Sequence, residues 1–294
     1  MNIELVKNLT MLPTHKVYNV LVKFLYKHGY KRIERQPHFI MAEGLDPVCL
    51  IAHMDTVFNF QPEKEDFLYD AEKQVLWSPY GTGFDDRAGI AGIIELVMRG
   101  HRPHIIFTDL EEVGGIGARE LINAYPHCPF KNCKALIELD RANENDAVYY
   151  DCDNKKFEEF ISRYGFVTDL GTFSDISIIA PAWKIAAVNL SIGYLDEHSS
   201  SERLVCSWFD VTIDKVSKII EDISSEKKFR YIKMKYIPIK FKHDFCNCLL
   251  CGRSLDPKSR YEIYDTEYPY AVCEDCYNQY YVGNEDYIPF DERI

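Results

Sequence analysis

Apolar runs that stop abruptly at a carboxylate or a histidine constrain this chain more than any other feature of its sequence. Residues 48–52 (VCLIA) run straight into His53, and residues 104–108 lead into an acidic turn holding Glu111 and Glu112. Residues 135–139 end at Asp140, and residues 185–190 precede a turn holding His198. Between these runs the spacing is helical. Residues 14–28 put Val17, Val20, Leu21, Phe24 and Leu25 on one face, and a dense apolar stretch from Asp86 stops at Gly100. Shorter helices are expected over 117–124, 155–164 and 208–223, and a further strand over 38–42. Strands alternating with helices predict an α/β fold, a mixed and largely parallel sheet sandwiched by helices. Open sheets of this kind place their sites beyond the carboxyl ends of the strands, where these polar residues fall.

The 294 residues are 47% hydrophobic, enough for a full core. A net charge of −12 argues against broad binding to a phosphate backbone, so nucleic acid is not the expected partner. The first residues lack the apolar stretch and cleavage site of a signal peptide, and no apolar run approaches the roughly 20 residues that span a bilayer. A cytoplasmic protein without a membrane segment is the expectation.

From about Ser225 the pattern changes to lysines and tyrosines, and then five cysteines fall within the last 50 residues. The expected organisation is a catalytic domain over 1–225, a connector over 226–242 and a zinc-binding module over 243–294. Cys248, Cys251, Cys273 and Cys276 form a CxxCG…CxxC pattern with 21 intervening residues. Two such knuckles supply the four thiolates of a tetrahedral structural zinc, and Gly252 permits the tight turn. Cys246 and His243 are spare. The module resembles a zinc ribbon or treble-clef finger, whose metal supplies its folding energy. Its aromatics (Tyr261, Tyr264, Tyr268, Tyr270, Tyr277, Tyr280 and Tyr281) could stack on bases, but the acidic tail fits a protein partner better. Cys49, Cys128, Cys133, Cys152 and Cys206 form no framework and read as free thiols.

Five segments carry chemistry: His53-Met54-Asp55, Gly83-Phe84-Asp85-Asp86-Arg87, Glu111-Glu112-Val113-Gly114-Gly115, Glu138-Leu139-Asp140 and Glu197-His198-Ser199. Singly, each has an ordinary explanation: a capped loop, a helix N-terminus, a solvated acidic face. Together they supply the five or so His and carboxylate ligands that two divalent metals with a shared carboxylate require.

The series HMD, GFDDRAG, EEVGGIGA, ELD and DEHSSSE resembles the dinuclear zinc aminopeptidase–carboxypeptidase superfamily, which holds aminopeptidases, tripeptidases, dipeptidases and acylases. The likeness extends from Val48 to Val205. It implies a phosphorylase/hydrolase-like core binding two catalytic metals, zinc or alternatively cobalt or manganese, beside the one structural zinc of the module. His53, Asp140, Glu112 and His198 would be ligands, and Asp85 the bridging ligand with a cis bond to Asp86. Asp55 would orient the His53 imidazole. Glu111 would be the general base, because only an uncoordinated carboxylate can move the water's proton to the leaving amine. The segment 171–176 resembles a pocket loop, so Ser174 and Asp175 are substrate-binding candidates, as are Arg87 and Arg141 through a substrate carboxylate.

Only 57 residues separate Asp140 from His198, too few for the lid domain of the dipeptidase and acylase branches. The expectation is a lidless metallopeptidase core acting on small peptides, with an N-acyl amino-acid deacylase as the alternative. A zinc-finger adaptor with an inactive hydrolase core is the reading from another class; the intact set of ligands and base speaks against it.

Overall fold

The structure, a computed structural model, describes residues 2–234, 247–248, 250–255, 260–263 and 270–280. It divides into two compact units, Met1–Lys235 and Tyr236–Ile294. Among the described residues no helix is long and apolar enough to cross a membrane.

The first unit opens with α1 (Ile3–Thr10), α2 (Thr14–Lys27), β1 (Ile33–Arg35), β2 (Phe39–Ala42) and β3 (Asp46–His53). Next come β4 (Leu68–Asp70), β5 (Val75–Trp77), α3 (Phe84–Met98), β6 (Pro103–Thr108), α4 (Ile116–Ala124) and β7 (Leu136–Arg141). Then follow β8 (Asp146–Val148), α5 (Lys155–Ser162), β9 (Val167–Asp169), α6 (Asp175–Trp183) and β10 (Ala187–Ser191). It closes with β11 (Tyr194–Leu195), β12 (Arg203–Val205) and α7 (Cys206–Asp222). The main sheet runs β1-β2-β6-β3-β7-β10-β8-β9. Its centre, β6-β3-β7-β10, is parallel, and antiparallel strands flank it.

Because successive side chains of a strand point to opposite faces, each central strand feeds two cores. Val48, Leu50 and Ala52 join Ile105, Phe107, Ile137 and Leu139 in the larger core, which α3 and α7 cover. Cys49 and Ile51 join Ile106 and Leu136 in the smaller core, covered by α4 and α6. The start of α3 lies hard against β7: a Cβ on Gly89 would stand 2.1 Å from the Leu139 carbonyl oxygen, so only glycine fits. That approach brings Asp85 beside Asp140.

The chain differs from its sequence reading in several elements. Helices α1 and α6 and a second sheet, β11-β12-β5-β4, are additional. Pro181 sits inside α6, where helical patterning alone reads a break. Past α7, Phe229 is buried in the larger core, and Arg230 and Lys233 bridge to Ile185 and Cys152. Between Asp140 and His198, β8, β9 and β10 all belong to the main sheet.

In the second unit, β13 (Arg260–Ile263) pairs antiparallel with β14 (Tyr270–Cys273), and α8 (Glu274–Tyr280) follows directly.

Candidate active site and cysteine cluster

The carboxyl ends of β3, β6, β7 and β10 deliver His53, the Glu111–Glu112 turn, Asp140 and the His198 turn to one place. His53 Nε2 lies 2.9 Å from Asp85 Oδ1 and 3.4 Å from Asp140 Oδ1. His198 Nε2 lies 3.1 Å from Asp85 Oδ2 and 3.0 Å from Glu112 Oε2. The two oxygens of Asp85 therefore face different imidazoles, with Asp140 on one side and Glu112 on the other. Glu111 stands in the same turn as Glu112, and its carboxylate has no hydrogen bond among the described residues. Leu110 and His198 take left-handed backbone conformations (φ 61° and 60°), which non-glycine residues adopt only when their surroundings hold them.

Several groups hold this arrangement. Asp55 lies 3.3 Å from His53 Nδ1 and accepts the backbone N–H groups of Glu111 at 3.1 Å and Glu112 at 3.2 Å. One side chain thus orients an imidazole and the acidic turn together. Asp86, joined to Asp85 by a cis peptide bond, accepts the N–H groups of His53 and Gly89. Glu202, fully buried, accepts the N–H groups of Thr82, Gly83 and Asp85 and the Thr82 hydroxyl. Sequence reasoning gave Asp86 and Glu202 no role. The only signal for Glu202 is its place in HSSSE, where a glutamate reads as exposed.

The charges explain what such a cluster needs. Burial, then Asp140 for Glu111 and Asp85 for Glu112 and Asp140, pushes all three carboxyl groups up to about 7. Burial also disfavours ionised Asp85, but hydrogen bonds from His198 and His53 hold it well below the usual carboxylate range. The hydrogen bond to Asp85, opposed by partial burial and helped by Glu112, raises His198 to about 9. Burial lowers His53, yet Asp140, Asp55 and Asp85 override it and hold the imidazole well above its ordinary value. So much like charge in a dry site is relieved either by protons or by cations.

Donor atoms of His53, Asp85 and Glu112 lie within 4.8 Å of one another, as do those of His53, Asp86 and Asp140. Asp86 accepts two backbone N–H groups, whereas Asp140 accepts the Tyr194 hydroxyl at 3.2 Å and a longer donation from the Asn189 side chain at 3.5 Å. A hard or borderline divalent cation fits this mixture of imidazole and carboxylate.

The substrate candidates separate. Arg87 is buried and donates to the Leu12 carbonyl and the Thr14 hydroxyl. Ser174 is buried and donates to Glu138, while Asp175 accepts from the Thr108 hydroxyl. These three do not line the cavity of about 200 Å³ over Asp85, Glu111 and Asp140; Arg141, Tyr150, Phe173 and Glu197 do.

In the second unit, the sulfurs of Cys248, Cys251, Cys273 and Cys276 lie within 4.8 Å of one another, with Cys251 and Cys273 3.8 Å apart. The Gly252 N–H donates to the Cys248 carbonyl at φ 72°, closing the knuckle. Burial opposes ionisation of Cys248, but backbone N–H groups of Cys273, Cys251 and Leu250 bring its thiol down to about 6. Burial and then the neighbouring thiols push Cys276 up to about 12. Four convergent thiols suit a tetrahedral zinc, which a small zinc-ribbon-like module would need. Tyr261 and Tyr277 stack on each other at 4.0 Å. His243, Cys246, Tyr264, Tyr268, Tyr281, the acidic tail and the side chains of Tyr270 and Tyr280 lie outside the described residues.

No protein-family model matches the chain, and no curated protein matches it. Among solved structures, the aminopeptidase PepT of Bacillus cereus superposes with a TM-score of 0.61 at 15% identity, over 74% of this chain and 97% of that one. A tripeptidase of Staphylococcus aureus gives 0.61 at 14% identity, over 76% and 98%. A Zn-dependent exopeptidase of Parabacteroides distasonis gives 0.52 at 16% identity, over 74% and 95%. The chain shares the aminopeptidase hydrolase fold, a mixed, mostly parallel sheet flanked by helices.

Proposed function

We propose that the chain is a metal-dependent hydrolase of peptide bonds, an aminopeptidase or small-peptide exopeptidase. The observation that carries this reading is Asp85, whose two oxygens face His53 and His198 while Asp140 and Glu112 complete the two sides. His53 and Asp140 would hold one divalent cation, Glu112 and His198 another, with Asp85 shared; zinc fits, and cobalt or manganese would also be accepted. When bound, such a pair supplies the positive charge that makes water acidic and polarises a carbonyl.

The remaining work falls to the chain's own groups. Glu111 takes a proton from the attacking water and returns it to the leaving amine, which requires an uncoordinated carboxylate beside the cluster. Its neighbour Glu112 is occupied by His198, so the adjacent pair divides the labour. Asp55 holds the turn that carries both. The cavity walls, among them Tyr150 and Phe173, keep the substrate in place beside Glu111.

The test is a screen of the full chain, with and without added zinc, against dipeptides, tripeptides, aminoacyl amides and N-acyl amino acids. Zinc-dependent release of N-terminal residues supports the reading; cleavage confined to N-acyl amino acids makes the chain a deacylase. Glu111→Gln is expected to lower kcat by about 10²–10⁴ while leaving bound metal unchanged. Full activity in that variant removes Glu111 as the base.

A further inference from the structure

The cavity over the carboxylate–histidine cluster has one wall whose charge does not suit a ligand-holding role. Arg141 closes β7 immediately after Asp140 and lines that cavity. Its Nη2 donates to Asp169 Oδ2 at 2.7 Å and to the Leu170 carbonyl at 3.2 Å, at and just beyond the end of β9. Its Nε is buried, 3.9 Å from Asp146 Oδ2. Nη1 makes no hydrogen bond among the described residues. The guanidinium is thus held through Nη2, whose two N–H groups are both taken, and Nη1 is its free donor.

The other charged groups lining the cavity are His198 and the acids Asp85, Glu111, Glu112, Asp140 and Glu197. Among the described residues Arg141 is the only arginine or lysine that lines it, and the free Nη1 of a guanidinium held in place can donate to a carboxylate. The cavity's volume of about 200 Å³ is below the roughly 300–1,000 Å³ of pockets for drug-sized ligands, which suits a one- or two-residue ligand. In a ligand that short, the terminal carboxylate lies within one residue of the scissile bond.

We propose that Arg141 is the specificity-determining residue of this site: it selects substrates whose free carboxylate lies one residue beyond the bond to be cleaved. This rests on the hydrolase reading above and adds what that reading lacks, the chemical character of the substrate's far end. With no separate domain between Asp140 and His198, the core strand β7 itself supplies the anion-recognising group.

The experiment compares alanyl-leucine with alanyl-leucinamide on the zinc-loaded full chain. Wild type is expected to favour the free acid by tenfold or more in kcat/KM. Arg141→Gln is expected to bring that ratio close to one through loss on the acid, and Arg141→Lys, which keeps charge but loses the hold of Asp169 and Leu170 on a planar group, to retain part of it. A wild-type ratio near one overturns the proposal, whatever the variants do. So does an Arg141→Gln variant in which acid and amide fall by the same factor, the mark of a purely structural role.

A second measurement needs no turnover. By calorimetry, leucine is expected to bind the zinc-loaded chain more tightly than leucinamide, and Arg141→Gln to erase the difference. Equal binding in wild type overturns the proposal. If nothing in the substrate screen is cleaved yet the leucine preference exists and depends on Arg141, the carboxylate site stands and the hydrolase reading falls.

Discussion

Glu202 accepts the backbone N–H of Asp85 at 2.9 Å across 117 positions of sequence. Its second oxygen takes the N–H groups of Thr82 and Gly83 at 3.2 and 2.5 Å and the Thr82 hydroxyl at 2.6 Å. Four donors on one fully buried carboxylate fix the loop that presents Asp85 to the two imidazoles. Glu202→Gln replaces an acceptor with an NH₂ group facing N–H donors. It is expected to destabilise the fold by about 2–4 kcal/mol and to weaken metal retention. Calorimetric unfolding with metal analysis checks both, and wild-type values in each would mean that the loop is held by other contacts.

Asp55 is placed to matter through its neighbours rather than by touching substrate. It lies 3.3 Å from His53 Nδ1 and anchors the turn of Glu111 and Glu112. Asp55→Asn keeps the shape but loses the charge that supports the imidazole. A loss of about 10–100-fold in metal affinity is expected, read by competition with a chromogenic chelator. An unchanged affinity would assign Asp55 to backbone capping alone.

The metal-free chain should lose stability as pH rises. Glu111, Glu112 and Asp140 are pushed up to about 7, above their values in an unfolded chain. A carboxyl group with a raised folded pKa stabilises the fold while protonated, and that contribution is lost as pH rises through about 7. His198, raised to about 9, acts in the same direction at higher pH. Asp85 has the opposite sign, but its window lies below about 4. The Tm of chelator-treated protein should therefore fall between pH 5 and pH 8. Added zinc should reverse the trend, because the cation favours the ionised ligands and releases their protons. A Tm that rises with pH in the chelated protein would contradict this charge balance.

The residues that converge on the cluster were legible because each follows an apolar run, and the ends of parallel strands meet. The spacing of residues 48–52, 104–108 and 135–139 therefore predicts both the sheet and the edge at which His53, Glu112 and Asp140 gather. What holds them was not legible. Glu202 works through backbone N–H groups far away in sequence, and no local pattern marks a carboxylate as buried. Helix α6 was hidden by the turn-like residues 171–174 and by Pro181. The strands of the second sheet run two or three residues each, too short for alternation to register. Arg87 and Arg141 look alike in sequence, each next to a carboxylate. Only packing separates the one buried against the Leu12–Thr14 turn from the one that lines the cavity.

The two kinds of metal site should come apart under mutation. Four sulfurs within 4.8 Å, on a knuckle and at the junction of β14 and α8, form a set that includes no carboxylate among the described residues. Cys276→Ser removes one of four thiolates, and three rarely hold a structural zinc against chelators. The wild-type chain is expected to bind about three zinc ions at saturation, two in the first unit and one in the second. Cys276→Ser should bind about two, and should open Tyr236–Ile294 to protease while Met1–Lys235 survives digestion. Hydrolysis should persist in that variant, since Glu111 and its surroundings all belong to the first unit. Loss of all metal from Cys276→Ser would tie the two sites into one folding unit and remove this separation.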